Sequence, residues 1–271
     1  MPNHLFFVGN KRSGTSVLVK LLNFHPEIFI SPEADLIWIL YQARSGWPQS
    51  FRCYPWDGPV GMHRTLDAAG EILKDSLRET SGNSGQTVPD KFRSIFDGVS
   101  KHLLSKSGEK DAGRERTWIG DKKPVQQCDP EICPFLHEHF PEASYLHIVR
   151  HPAAVVASKL NAAKGFKSVP EFWKQSSEQI LERWAVHEQW VLDARAKCSR
   201  FLSVKFEDLC SRPLDEMHKI FSFLGLAMPD PTSRRIASEV RHQPNKKYRD
   251  FTITPSASVK RLMEMYGYEP S

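Results

Sequence analysis

The stretch Leu5–Leu22 reads LFFVGNKRSGTSVLVKLL, and its order of features decides the fold. Leu5 to Val8 is a short apolar run followed by a glycine, the pattern of a buried strand entering a turn. From Thr15 the apolar residues fall at Val17, Leu18, Leu21 and Leu22, which is helical spacing. A strand, a glycine-containing loop and a helix N-terminus in succession form an anion site from backbone alone. The first-turn N–H groups point outward and the helix dipole favours negative charge. Gly9 and Gly14 have the spacing of the pattern G-x-x-x-x-G-K-[ST], yet Thr15 stands where a nucleotide triphosphatase needs lysine. That lysine reaches the β and γ phosphates and works beside a Mg²⁺ ion. Here two cations, Lys11 and Arg12, precede the second glycine instead. Ser13, Thr15 and Ser16 add hydroxyls. A transferred group with less charge than a phosphoryl has less need of a metal, and no metal site is expected.

Working outward, strands and helices alternate. Ile28–Ile30 is a second strand, after His25–Pro26 has ended the first helix. Glu33–Tyr41 reads as a helix with Leu36, Ile37 and Leu40 on one side. From Ser45 to Thr117 the character changes to Pro-, Gly- and Ser-rich segments. They flank one amphipathic helix whose apolar face is Phe92, Ile95, Phe96, Val99 and Leu103. Alternation resumes with a strand at Thr117–Gly120, a helix at Glu131–Phe140 and a strong strand at Ser144–Val149. A helix opens at Pro152. A long helix carries Trp173, Ile180, Trp184 and Val191, and a strand spans Phe201–Phe206. Strands alternating with helices imply a parallel sheet with right-handed crossovers. The expectation is an α/β fold, a parallel sheet flanked by helices. One domain over residues 1–271 would carry an insertion at about 45–117.

Bulk properties narrow the classes. The chain has 271 residues, 40% hydrophobic and 25% charged, with a net charge of +5. That balance suits an anionic ligand, but no dense basic arm points to nucleic acid. No apolar run is long enough to span a membrane. The N-terminus runs almost directly into the first strand, so no signal peptide is expected. Five cysteines without a CxxC pair favour a reducing compartment over a disulfide framework or structural zinc. The cytoplasm is the expected location, although a chain trimmed of an anchor would read the same. Oligomeric state is not legible.

A second constellation lies in HIVRHPAAVVASKL. A strand ends in Arg150, and Ser158 follows eight residues later on a helix. A guanidinium binds phosphate bidentately and a hydroxyl completes the shell. Together, RSGTS with its leucine-rich helix and this arginine–serine pair resemble the PAPS-dependent sulfotransferases, especially the tyrosylprotein and carbohydrate members. The resemblance implies a P-loop-like sulfotransferase fold. It implies that Arg12, Ser13, Gly14, Thr15 and Ser16 hold the 5′-phosphosulfate of PAPS, and Arg150 and Ser158 the 3′-phosphate, with PAP as product. Arg12 takes the family's basic position, while the role of Lys11 stays undefined. Glu33 follows Arg12 by 21 residues, the spacing of the catalytic glutamate, and would deprotonate an acceptor hydroxyl. The alternative is that Glu33 merely favours a helix N-terminus, with Asp35 as the next candidate base. In GDKKP, Lys122 takes the position of a lysine that contacts the sulfuryl group, with Lys123 beside it. Arg249 best matches a further family lysine over the nucleotide. Where the family has another arginine after the serine, this chain has Ala162, so that contact is either lost or taken over by Lys159 or Lys164. Phe206 stands where a nucleotide-contacting tyrosine is expected. The acceptor could be tyrosine, a sugar or a small alcohol or phenol. Two rivals stand beside this reading: a P-loop kinase or nucleotide triphosphatase, and a non-catalytic PAP-binding protein.

Overall fold

A computed structural model describes residues 2–44, 50–55, 87–107, 116–164, 174–240 and 251–269. Five strands, β1 (Asn3–Val8), β2 (Ile28–Pro32), β3 (Trp118–Lys122), β4 (Ser144–Val149) and β5 (Arg200–Lys205), form one sheet in the order β2-β3-β1-β4-β5. Every pairing is parallel. All carboxyl ends therefore lie along one edge, where open α/β sheets hold their ligands.

Side chains alternate across the sheet as period two requires. Phe6 and Val8 face one core with Phe29, Ile119 and Tyr145. Leu5 and Phe7 face the other with Ile28, Ile30, Leu146 and Val204. Helices cover both faces. The first core is closed by α2 (Leu36–Ala43), α3 (Val88–Ser107) and α4 (Cys133–His139). Within α3, Phe92, Ile95 and Phe96 are buried against Phe6 and Phe29. The second core is closed by α1 (Thr15–Leu22), α7 (Phe206–Ser211), α8 (Pro213–Phe223) and α9 (Asp230–Glu239). A third cluster joins α5 (Pro152–Ala163), α6 (Ser177–Arg195) and α10 (Ala257–Met265) beside Val149.

Among the boundaries that differ from the sequence expectation, two bear on the site. The second helix begins at Leu36, not Glu33, because Glu33 and Asp35 take left-handed φ of 55° and 56°. Phe206 opens α7 and does not end β5. The five cysteines are free thiols.

The sheet opens where the site must form. β1 pairs with β3 only at Asn3 and His4, then with β4 from Leu5 onward. Gln127 fills the gap, its Oε1 accepting from Phe7 N at 2.7 Å and its Nε2 donating to Asp121 O at 2.6 Å. A buried side chain thus satisfies main-chain groups that a continuing ladder would have paired.

Candidate active site

The loop after β1 turns through Gly9 (φ 130°), Arg12 (φ 69°) and Gly14 (φ 95°) before α1 starts. Gly14 is obligatory on two counts. Its φ suits only glycine, and a Cβ there would lie 2.2 Å from Phe206 Cδ2. Phe206 therefore packs against the loop, and its ring also lies 4.4 Å below the Arg150 guanidinium. It does this without a hydroxyl, so its part is to back the loop and orient Arg150 by cation–π attraction.

Arg150, just past β4, donates from Nη1 to the carbonyl of Arg12 at 2.9 Å. That bond holds Arg12 in its left-handed conformation. Arg12 in turn donates from Nε to Ser158 Oγ on α5 at 3.1 Å. The three residues that the sequence assigned to two phosphate positions thus converge on one another. Glu207 fixes the same region from below. Its Oε1 accepts from His151 N at 3.1 Å, and its Oε2 accepts from Tyr268 Oη at 2.8 Å.

The second half of the site comes from β2 and β3. Lys122, at the end of β3, is buried to 2% exposure, yet its Nζ reaches the Glu33 carboxylate and lies 3.3 Å from Ser16 Oγ. Glu33 is 58% exposed. Lys123 points the other way, its Nζ 3.0 Å from Asp35 Oδ1. The two lysines thus face different carboxylates, and Lys122 is the one that lies against Ser16. Asp35 is committed elsewhere: besides Lys123, it accepts from Gln126 Nε2 at 3.0 Å. That pairing makes Asp35 a poor fit for a base.

The turn carrying Glu33 is held by Asp121. Its Oδ1 accepts from Ser31 Oγ at 2.8 Å and Ala34 N at 3.0 Å, and its Oδ2 accepts from Leu36 N at 3.0 Å. These bonds stabilise a turn with two left-handed non-glycine residues, each costing about 1 kcal/mol or more. Burial and the neighbouring Asp35 charge push the Asp121 carboxyl up to about 6, against the hydrogen bonds from Ser31 and Ala34.

The site's electrostatics follow from this crowding. Burial pushes the Glu33 carboxyl up, but the charge and hydrogen bond of Lys122, with Lys123 and Lys11 behind it, hold it below the usual carboxylate range. Lys11 is pushed down to about 7 by burial and by Lys123 and Lys159, against the pull of Glu33 and Asp35. Lys159 is pushed down to about 8 by burial and by Arg183. Cations concentrated this way form a field suited to a polyanion.

An anionic nucleotide fits this arrangement. Phe206 packs against the loop at Gly14, and Arg12, Arg150 and Ser158 meet beside it. Ser13 is fully buried, and its Oγ has no hydrogen-bond partner among the described residues. Thr15 and Ser16 lie in the first turn of α1. Arg249 lies outside the described residues. Among the described residues no three His, Cys, Asp or Glu side chains gather as a metal site would need. Nor, among them, is any helix long and apolar enough to cross a membrane.

Sequence reading missed Asp121, Gln127 and the Asn10 anchor of the loop. Asp121 is bonded to Ala34, Gln127 to Phe7 and Asn10 to Glu188, each partner more than 80 residues away, so no local signal marked them.

Comparison with known proteins agrees with this fold. A family model described as "Sulfotransferase family" matches residues 2–230. Protein-tyrosine sulfotransferase 2 of Gallus gallus is 23% identical, covering 83% of this chain and 52% of the relative. Nodulation protein NoeE of Sinorhizobium fredii is 26% identical, covering 83% and 50%. The chain thus spans about half the length of the curated relatives it matches. Among solved structures, the sulfotransferase domain from the Synechococcus PCC 7002 olefin synthase aligns with a TM-score of 0.62 at 22% identity. That alignment covers 99% of this chain and 96% of that one, and it shows the shared fold.

Proposed function

The chain belongs to the sulfotransferase family, and on that premise we propose that it moves a sulfuryl group from PAPS to an acceptor hydroxyl. The observation that carries this reading is the meeting of Lys122 Nζ, the Glu33 carboxylate and Ser16 Oγ at the mouth of the loop. A base, a cation and a phosphate-loop hydroxyl at one point are what transfer to a hydroxyl requires.

PAPS, when bound, supplies an activated sulfuryl group on a mixed anhydride. Arg12 to Ser16 hold its 5′ end and Arg150 with Ser158 its 3′-phosphate. Arg249 is assigned to the same nucleotide. Glu33 takes the acceptor's proton as the oxygen attacks in line. Arg12 and Lys122 stabilise charge on the sulfuryl and bridging oxygens, in the place where P-loop nucleotide enzymes use Mg²⁺, so the transfer is read as metal-free. Asp121 holds the turn that presents Glu33. The acceptor class remains a hydroxyl of tyrosine, sugar or small alcohol or phenol.

Incubation with ³⁵S-labelled PAPS and a mixed panel of those acceptors tests the reading. We expect label on a hydroxyl. Glu33→Ala should lower turnover on the order of 10²–10⁴-fold while PAP binding is kept. Tight PAP binding with no acceptor ever labelled would make the protein a binding module. Unchanged turnover in Glu33→Ala would remove Glu33 from the mechanism.

A further inference from the structure

Below the loop lies a buried polar network that none of the roles above uses. It centres on Glu188 of α6, which is fully buried on a helix whose other buried residues, His187 apart, are apolar, Ile180, Leu181, Trp184 and Val191 among them. A carboxylate in such a stripe is costly unless its oxygens are occupied. Oε1 accepts from Asn10 Nδ2 at 2.8 Å, and Oε2 lies 3.1 Å from His147 Nε2, within ion-pair distance but off hydrogen-bond alignment.

The two partners belong to different arms of the site. Asn10 sits in the loop, immediately before Lys11 and Arg12. Its Nδ2 also donates to the carbonyl of Trp184 at 3.1 Å, and His187 Nδ1 lies 2.9 Å from its Oδ1. A carbonyl only accepts, so Trp184 fixes which way the Asn10 amide points. Oδ1 is then the atom facing His187, and His187 Nδ1 carries the proton it donates. Every polar atom of the Asn10 side chain is thereby tied to α6. His147 lies on β4, three residues before Arg150, with Nδ1 3.1 Å from Ser203 Oγ on β5. It also touches the loop's entry: a Cβ on Gly9 would lie 3.2 Å from His147 Cδ2.

We infer that Glu188 is a positioning residue for donor binding: it ties the Arg12–Ser16 loop, through Asn10, to the strand that carries Arg150, through His147. Packing alone would favour leucine at this position. The carboxylate instead sets the spacing between the groups assigned to the 5′ and 3′ ends of one nucleotide. The inference rests on the donor assignment made above.

Two ligands separate the possibilities. PAP engages both arms, whereas adenosine 5′-phosphate engages only the loop. Their affinities for the full chain are measured by calorimetry in the wild type, Glu188→Ala, Glu188→Gln and Asn10→Ala. We expect PAP affinity to fall on the order of 10–100-fold in Glu188→Ala, the cost typical of small misplacements remote from a ligand. Adenosine 5′-phosphate should lose much less. Glu188→Gln, which keeps an oxygen for Asn10, should recover most of the PAP loss. Asn10→Ala should match Glu188→Ala, and the double variant should be no worse than either. If Glu188→Ala does not fold, Asn10→Ala carries the test. Wild-type PAP affinity in a folded variant overturns the inference, as does an equal fall for both ligands. A merely structural role would lower the melting temperature and leave PAP affinity of the folded protein intact. A folded wild type that binds neither ligand overturns the donor assignment itself, and this inference with it.

Discussion

At the scale of single residues, Lys122 is the most informative side chain. A buried lysine is normally unfavourable, and this one is stabilised by the Glu33 carboxylate and Ser16 Oγ. The sequence offered two adjacent lysines, and only the fold decides which one faces Glu33 and which Asp35. Glu33 is more than half exposed, so removing its partner leaves it hydrated and not stranded. Lys122→Met, close in volume, should therefore fold. The sign of its pH effect follows from the direction of the Glu33 shift. Lys122 holds that carboxyl down while burial pushes it up, so without Lys122 the carboxyl protonates at higher pH. The acid limb of the rate profile should move to higher pH, and the rate at the plateau should fall on the order of 10²–10³-fold. A pH–rate profile of kcat/KM checks both. An unmoved acid limb would mean that Glu33 is not the group it reports. Gly14→Ala belongs to the same scale. The new methyl would collide with Phe206, so PAP affinity should fall by more than ~10-fold, measured by calorimetry. Wild-type affinity would show that the loop and Phe206 can separate freely.

At the scale of elements, legibility depended on how local the cause was. The strand–loop–helix from Leu5 to Leu22 could be read because period, glycine spacing and helix start are all local signals. The turn after β2 could not. Glu33 and Asp35 read as a helix start, as acids commonly are, but Asp121, 87 residues from Ala34, holds them out of the helix with three hydrogen bonds. A contact that distant leaves no mark on local propensity. Asp121→Asn tests this. An amide has one acceptor oxygen, so at least one of the Ala34 and Leu36 N–H groups would face an NH₂ group. We expect a stability loss of about 1–3 kcal/mol by denaturant unfolding. The turn should also shift, costing turnover more than PAP affinity, because in the proposed mechanism Glu33 serves the acceptor and the loop serves the donor. Equal loss in both would show that Asp121 supports the whole crevice and not the turn alone.

At the scale of the whole molecule, the parallel sheet was legible but the gathering of charge was not. Lys11, Lys123 and Lys159 are spread over nearly 150 positions, and only the order β2-β3-β1-β4-β5 brings their segments to one edge. Their crowding has a measurable consequence. In the free protein Lys11 is pushed down to about 7 and Lys159 to about 8, burial being the first cause in each and neighbouring cations the next. Near neutral pH both therefore bind fewer protons than ordinary lysines. An anionic nucleotide on the adjacent loop favours their charged forms and raises both values. Binding must then be accompanied by proton uptake between the free and bound titration ranges. Calorimetry of PAP binding at about pH 7.5, in buffers of differing ionisation enthalpy, should register that uptake. It should shrink at about pH 5.5, where both lysines are already protonated. Lys11→Met and Lys159→Met should each remove part of the count without adding any. Release of protons at the higher pH, or a count indifferent to both substitutions, would place the nucleotide away from these cations. The loop would then hold its anion by backbone and Arg12 alone.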